Sequence, residues 1–404
     1  AAKAHSKLPV LCSISFEENG STISGSSVTS GLATLAAHGA DIVGANCGLG
    51  PVQMISIFKK HISELKSLGV PLSVWSNAGL PQYIDGKTVF PLGPDAFGDA
   101  AREFADLGFG VIGGCCGTTP DHIRALADRL SKGTYGPVSY KKMYRFATSR
   151  FIATDLAAKR DGVIAIGERL NPTARKKFAE ELKNGSTAFL REESKAQQAE
   201  GADLLDINVG TPGIDEIAAI KNCVTILSNT VRTPLMIDSD NAEVLEAALK
   251  IYPGCAVVNS INGKKKSIDT VLPVIKKYGC FITALCLDES GIFREAGKRI
   301  AIGDRLVALL EENGIARERI IVDPLMLSES AEPGSAVETL KVIKHFAGRG
   351  IKTSLGISNV SFGMPQRKFI NNAFLSMARE HGLSAGIVNT KASKIIADWS
   401  DEER

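Results

Sequence analysis

Short apolar runs alternate with helix-length amphipathic segments from one end of the chain to the other, which is the βαβα pattern of a parallel sheet covered by helices. No stretch reads as an antiparallel meander. In the first part the pattern predicts four strands, near residues 10–16, 41–47, 71–77 and 109–115, half the number a (β/α)₈ barrel needs. The clearest helix start between them is Thr119, an N-cap followed by Pro120 at the first helical position and Asp121 in the first turn. From Gly162 eight more runs follow, near residues 163–167, 203–208, 234–238, 256–260, 281–287, 320–323, 353–357 and 385–389. Eight parallel strands with intervening helices make a complete barrel. The expected fold class is therefore α/β with two TIM-type (β/α)₈ barrels. The first, over 1–132, is represented only by its C-terminal half, and the second, over 162–404, is complete. Residues 133–161 are basic, aromatic and aperiodic and read as a linker.

One internal repeat relates the two parts. Gly39-Ala-Asp-Ile-Val-Gly-Ala-Asn46-Cys47-Gly48 aligns without gaps to Gly201-Ala-Asp-Leu-Leu-Asp206-Ile-Asn208-Val209-Gly210. Each is a helix end, a buried strand and a polar C-terminal tip, and the tip is where barrel enzymes keep their chemistry.

The totals narrow the class of partner. With 404 residues, 44% hydrophobic and 23% charged, the chain is an ordinary globular composition long enough for two domains. A net charge of +3 is too weak for a nucleic-acid surface, so small ligands are expected. Eight cysteines fall short of a disulfide scaffold, no signal-peptide pattern opens the chain, and no run of about 18 apolar residues suggests a membrane span. A reducing cytoplasm is the expected location. The chain opens Ala-Ala-Lys-Ala-His without an initiator methionine. Since half a barrel exposes two unpaired edges, a preceding portion is expected to have been cut away or to come from another polypeptide.

Two groups of residues carry chemistry. Cys47 ends one apolar run and the adjacent pair Cys115-Cys116 ends another. On neighbouring strands, three sulfurs would converge on one rim as soft ligands for Zn²⁺ with a fourth position open; a buried small pair or a strained vicinal disulfide is the competing reading. Cys12, Cys223, Cys255, Cys280 and Cys286 read as core. In the second part, strand after strand ends in an acid or amide: Glu168 and Asn171, Asp206 and Asn208, Asp238, Asn259, Asp288, Asp323, Asn359 and Asn389. Such a ring suits a flat, nitrogen-rich heterocycle such as a pterin, whereas each residue taken singly reads equally as a helix cap. The six histidines avoid these tips, and neither a Walker motif nor a strand-linked Gly-x-Gly-x-x-Gly occurs. Lys264-Lys265-Lys266 reads as a solvated loop or as a contact for an acidic ligand tail.

At these residues the chain resembles the cobalamin-dependent methionine synthase family, in its homocysteine-binding and methyltetrahydrofolate-binding modules. The motifs Ile-Gly-Glu168-Arg-Leu-Asn171, Asp206-Ile-Asn208-Val-Gly, Ile-Asp238-Ser, Val-Asn259-Ser-Ile, Val-Asp323-Pro and Gly-Ile-Ser-Asn359-Val-Ser-Phe-Gly resemble the pterin-binding methyltransferases in family order. Gly-Ala-Asn-Cys47-Gly and Gly-Gly-Cys115-Cys116-Gly-Thr-Thr-Pro resemble the family's zinc signature in the C-terminal half of its homocysteine barrel. The resemblance implies a methyltransferase that moves a methyl group from 5-methyltetrahydrofolate to cob(I)alamin and from methylcobalamin to zinc-activated homocysteine. It implies Cys47, Cys115 and Cys116 as zinc ligands, with Asn77 a weak fourth ligand when substrate is absent. Pterin contacts fall on Asp238, Asn259, Asp323 and Asn359, with Glu168, Asn171, Asp206 and Asn208 beside them, Asn359 as the catalytic contact to the departing nitrogen, and Arg367 steadying the pocket or the ligand's acidic tail. No Asp-x-His-x-x-Gly cobalamin signature occurs, so the corrinoid is expected on another domain or chain. A folate-to-corrinoid methyltransferase without homocysteine activity, a dihydropteroate synthase and a non-catalytic folate-binding or zinc-storing protein are the alternatives.

Overall fold

The computed structural model describes residues 2–133, 139–157 and 162–391. The chain divides into two compact units, Ala1–Tyr144 with Arg150–Ala153 and Arg145–Ser149 with Thr154–Arg404.

The first unit is an open parallel sheet. Its strands are β1 (Leu11–Ile14), β2 (Ile42–Asn46), β3 (Leu72–Ser76) and, after a short hairpin of β4 (Gln82–Ile84) and β5 (Lys87–Val89), β6 (Phe109–Gly114). They pair in the order β1-β2-β3-β6. Val43, Ala45, Leu72 and Val74 are buried, and Phe109 meets Phe58 and Phe104 edge-on at 4.8 and 5.5 Å. The helix predicted after Thr119 runs Pro120–Ser131, and Thr119 and His122 complete a capping box. The hairpin corrects the expectation of a wholly parallel chain. Asp85 and Gly86 both have positive φ, +50° and +75°, the backbone of a two-residue turn that reverses a strand. The flanking strands are exposed at every position, so no apolar alternation announced them.

The expected linker also contains structure. Short strands β7 (Phe146–Thr148) and β8 (Ala153–Asp155) lie in it. Thr148 is fully buried against the second unit's own residues: its N–H donates to Cys255 O at 2.9 Å, its Oγ1 accepts from Cys255 N at 2.7 Å, and its O accepts from Tyr252 Oη at 2.9 Å. Residues 134–138, 158–161 and 392–404 of the expected linker and second domain lie outside the described residues.

The second unit is a closed barrel of eight parallel strands, β9 (Ile164–Leu170), β10 (Leu204–Asn208), β11 (Leu235–Asp238), β12 (Val257–Asn262), β13 (Phe281–Leu285), β14 (Ile320–Asp323), β15 (Lys352–Gly356) and β16 (Ala385–Val388). It closes where β16 pairs β9, with Ala385 opposite Ile164. Strand side chains alternate between faces. Leu205, Ile207, Leu235, Ile237, Val258, Ile282 and Val322 join the apolar layer under the helices. The residues of opposite parity, Asp206, Asn208, Asp238, Asn259, Thr283 and Asp323, therefore face the barrel interior.

The internal repeat has a physical content in both units. Asp41 Oδ2 accepts the Val10 N–H at 2.6 Å and Asp203 Oδ2 accepts the Ala165 N–H at 2.8 Å, each tying a strand's entrance to the preceding strand. Gly39 and Gly201 end the preceding helices at φ +103° and +91°, a conformation that side-chain-bearing residues rarely adopt.

Candidate functional site

In the first unit the three cysteines meet. β2 and β6 are not neighbours, since β3 lies between them, and the loops beyond the strand ends close the gap. Cys47 sits at φ +57° with its N–H on Trp75 O, Cys115 N–H reaches Ser76 O, and Cys116 O takes the Ala78 N–H. The Trp75 ring fills the space where a side chain at Gly113 would stand, and Thr118 fills that at Gly114, which explains the glycines ahead of the cysteine pair. The three sulfurs lie within 4.8 Å of one another, Cys116 Sγ being 3.5 Å from Cys47 Sγ and 3.9 Å from Cys115 Sγ. All are free thiols. Ligands about 2.3 Å from a tetrahedral zinc ion stand about 3.8 Å apart, so the sulfur spacing fits that ion. Buried Asn77 adjoins the group, its Oδ1 accepting the Cys116 N–H at 3.1 Å.

The electrostatics of the trio are lopsided. Burial pushes the Cys47 thiol up, but the Gly48 N–H, the Cys116 and Cys115 thiols and Asn77 outweigh it and leave Cys47 below the ordinary thiol range. Cys115 is pushed up to about 11 by burial and by its neighbours Cys47 and Cys116. Cys47 is thus the readier of the two to ionise, and a divalent cation is the countercharge that would let all three ionise.

In the barrel, lateral register gathers the second group. Asn208 lies opposite Asp238 and Asp238 opposite Asn259. Asn208 Nδ2 donates to Asp238 Oδ2 at 3.0 Å, while its Oδ1 accepts the Gly210 N–H at 2.7 Å. Asp206 lies one layer deeper; Asn259 hydrogen-bonds it, yet its Oδ1 has no partner among the described residues. Burial raises Asp206 well above the usual carboxylate range, helped by the charges of Asp238 and Glu168. Burial likewise raises half-buried Asp238 to about 6 and buried Asp323 to about 7. Asp323 Oδ1 accepts the Leu325 N–H at 2.8 Å.

A further group forms on the turn after β15. Ser358 Oγ donates to Glu168 Oε2 at 2.8 Å, and burial raises Glu168 against the pull of Ser358, Arg175, Arg367 and Arg169. Arg367 grips this turn, donating to Ser361 Oγ at 3.0 Å and Ser358 O at 2.9 Å. Its guanidinium is thus engaged in holding the turn. Asn359 on the same turn is exposed, and its side chain makes no hydrogen bond among the described residues.

Other tips do local work. Asn171 caps a short 3₁₀ turn, its Oδ1 accepting the Thr173 N–H at 3.0 Å. Asp288 takes the Ser290 N–H and pairs Arg305 at 3.1 Å. Asn389 accepts from buried Arg169 at 2.8 Å, which also pairs Glu200 at 2.7 Å. Lys264 precedes helix Lys265–Tyr278, where Lys265 pairs Asp269. Ser358 and Arg169 escaped the reading of the sequence, although each adjoins a residue that was singled out, Asn359 and Glu168.

The profile of the pterin-binding enzyme family matches residues 167–389, more than half of the chain and the span of the closed barrel. The chain belongs to that family. This pterin-binding enzyme also matches the homocysteine S-methyltransferase family over residues 1–130. It is 32% identical over 409 residues to methionine synthase of Mycobacterium leprae, covering 96% of this chain and 33% of that protein. The figures for methionine synthase of Mycobacterium tuberculosis are 32% over 413 residues, 98% and 34%. The pterin-binding enzyme thus spans about a third of the length of these curated relatives. Among solved structures it is similar to dihydropteroate synthases, from Xanthomonas albilineans (16% identity, TM-score 0.43, 57% of this chain and 88% of that one) and Yersinia pestis (16%, 0.44, 61% and 93%). No helix among the described residues of the pterin-binding enzyme is long and apolar enough to cross a membrane.

Proposed function

We propose that the barrel binds 5-methyltetrahydrofolate at the carboxyl ends of its strands and passes the methyl group to cob(I)alamin presented by another domain or chain. In the same proposal the first unit serves the methylation of homocysteine, in a reducing cytoplasm that keeps its thiols free. The observation that carries the reading is that Asp206, Asp238 and Asp323, all raised above the carboxylate range, face the barrel interior, with Asn208 bonded to Asp238 and Asn259 to Asp206. At neutral pH such a surface both donates and accepts hydrogen bonds, which a ring bearing amino, N–H and carbonyl groups requires.

The chemistry left to this chain's residues is positioning and proton handling. The methyl group departs from a tertiary amine nitrogen, which leaves poorly unless it is hydrogen-bonded or protonated as the bond breaks. Asn359, exposed and unengaged, supplies that contact, and Glu168, its proton affinity raised by burial, accepts from Ser358 on the same turn. Help of this kind is worth about 10²–10⁴ in rate. In the first unit Cys47, Cys115 and Cys116 would hold Zn²⁺, with Asn77 at the open side. A bound zinc ion keeps an incoming thiol deprotonated at neutral pH.

Calorimetry with 5-methyltetrahydrofolate, followed by spectroscopic assay of methyl transfer to free cob(I)alamin, tests the barrel. A chain that neither binds nor transfers sinks the proposal, and binding without transfer leaves a folate-binding protein. A folate-to-corrinoid methyltransferase lacking homocysteine activity is the second reading. Metal analysis showing no zinc in the intact chain would select it.

A further inference from the structure

We infer that Arg299 is a positioning residue for the barrel mouth: by gripping the Pro324-Leu325 turn it sets where the Asp323 carboxyl points, and so how tightly the mouth holds a reduced pterin. The ligand in this inference rests on the function proposed above; the geometry does not.

Arg299 lies on helix Ala296–Glu312, is 0% exposed and is the largest fully buried side chain among the described residues. A buried guanidinium ordinarily sits against a carboxylate, because an unpaired cation is costly to desolvate. Here no carboxylate lies within ion-pair distance among the described residues, and the charge is spent on oxygen dipoles. Nη1 donates to Pro324 O at 3.0 Å, Leu325 O at 2.7 Å and Thr339 Oγ1 at 3.0 Å, and Nη2 donates to Arg294 O at 3.0 Å. Nε has no partner. An apolar side chain would fill the same space at less cost in solvation, so the fork's value lies in what it holds.

What it holds is an unfavourable turn. Leu325 adopts φ +62°, the left-handed region that a leucine occupies only where its surroundings over-determine it. The carbonyls gripped by Arg299 are those on either side of Leu325 Cα. In this conformation the Leu325 N–H points back at Asp323 Oδ1, 2.8 Å away. Thr339 Oγ1, on helix Ser335–Gly348, also reaches Leu325 O at 3.4 Å and completes the clamp. The Leu325 N–H opposes the upward push that burial exerts on the Asp323 carboxyl. Arg299 thus acts on Asp323 through one backbone peptide and without touching the ligand.

The test uses the full chain, with calorimetry of 5-methyltetrahydrofolate and an NMR pH titration of ¹³C-labelled aspartates. Arg299→Lys keeps the charge but loses the fork. It is expected to weaken binding about tenfold and to move the Asp323 midpoint upward as the Leu325 N–H swings away. Adding Leu325→Asn, a residue that tolerates the left-handed region, is expected to recover most of both. A purely structural arginine would show only a lower melting temperature, and that result, or wild-type binding with an unmoved midpoint, overturns the inference. Should Arg299→Lys fail to fold, Thr339→Val decides: about a threefold loss of affinity with an upward midpoint supports the clamp, and no change refutes it. If the wild-type chain binds no folate, the functional reading fails while the Asp323 titration still judges Arg299.

Discussion

Both candidate sites gather groups of one kind, and their proton affinities shift in different ways, unevenly among the sulfurs and upward throughout among the barrel acids. Among the sulfurs, Cys47 falls below the thiol range while Cys115 rises to about 11, so the two thiols differ in how readily they ionise. Among the barrel acids, burial raises Asp206 well above the usual range, Asp238 to about 6 and Asp323 to about 7, so they hold protons further up the pH scale than free carboxyls do. The first is, on the proposed function, a receptacle for a metal; the second responds to pH. Their construction differs in parallel. The sulfurs sit on loops past the strand ends, with Cys47 in a left-handed conformation, whereas the acids belong to the strands and inherit their alignment from register.

The largest expected effect is on metal content. Cys115→Ser removes one of three soft ligands, and zinc measured after purification is expected to fall from about one equivalent to nearly none, because thiolate coordination carries most of the affinity. Folate binding by the barrel should be untouched. Full zinc retention in the variant would mean that the trio is not the receptacle. Next comes Asn359→Ala, expected to slow methyl transfer from 5-methyltetrahydrofolate by about 10²–10⁴ with little change in calorimetric affinity. A loss confined to affinity would make Asn359 a binding contact and not a catalytic one.

Strand register follows from apolar alternation, so the eight barrel strands and their inward acids were legible, as were the three cysteines at strand ends. What escaped depends on contacts between distant segments. Thr148 looked like part of an aperiodic linker because its burial comes from Cys255 and Tyr252, more than 100 residues away. Hairpin residues Gln82–Val89 lack an apolar face, and only Asp85-Gly86 marked the turn. Arg299 is one basic residue in a helix, and nothing local tells a buried guanidinium from a solvated one. Asn171 stands in a motif and Arg367 reads as a pocket or tail contact, and each makes a local structural bond.

pH should move the two sites in opposite directions. Asp323 and Asp238, at about 7 and about 6 when folded, sit near 3.9 in an unfolded chain. Between those values the folded chain holds protons that the unfolded chain has lost. Stability from these groups is therefore full below about pH 4 and is lost as pH rises through 6 and 7, by up to about 1.4 kcal/mol per pH unit per group. Asp323→Asn keeps an acceptor for the Leu325 N–H and should flatten that slope in urea unfolding. Zinc affinity has the opposite sign, rising with pH as thiols deprotonate. A barrel whose stability climbs between pH 5 and 8, and does so equally with Asp323→Asn, would show that these acids are ionised in the folded state.

The smallest effect separates capping from contact among the polar tips. Asn171 and Asn208 look alike in sequence, each a strand-end amide beside an apolar run, but their bonds differ. Asn171 spends its carbonyl on the Thr173 N–H of its own turn, and losing such a cap costs about 1 kcal/mol. Asn208 spans two strands to hold Asp238, so its removal unpins a raised carboxyl inside the mouth. Asn171→Ala is expected to lower the unfolding free energy by about 1 kcal/mol and to leave folate affinity unchanged. Asn208→Ala is expected to cost comparable stability and also several-fold in affinity, because the Asp238 carboxyl loses the donor that fixes it. Equal losses of affinity in both would place Asn171 against the ligand and remove the distinction between a tip that shapes the rim and one that lines it.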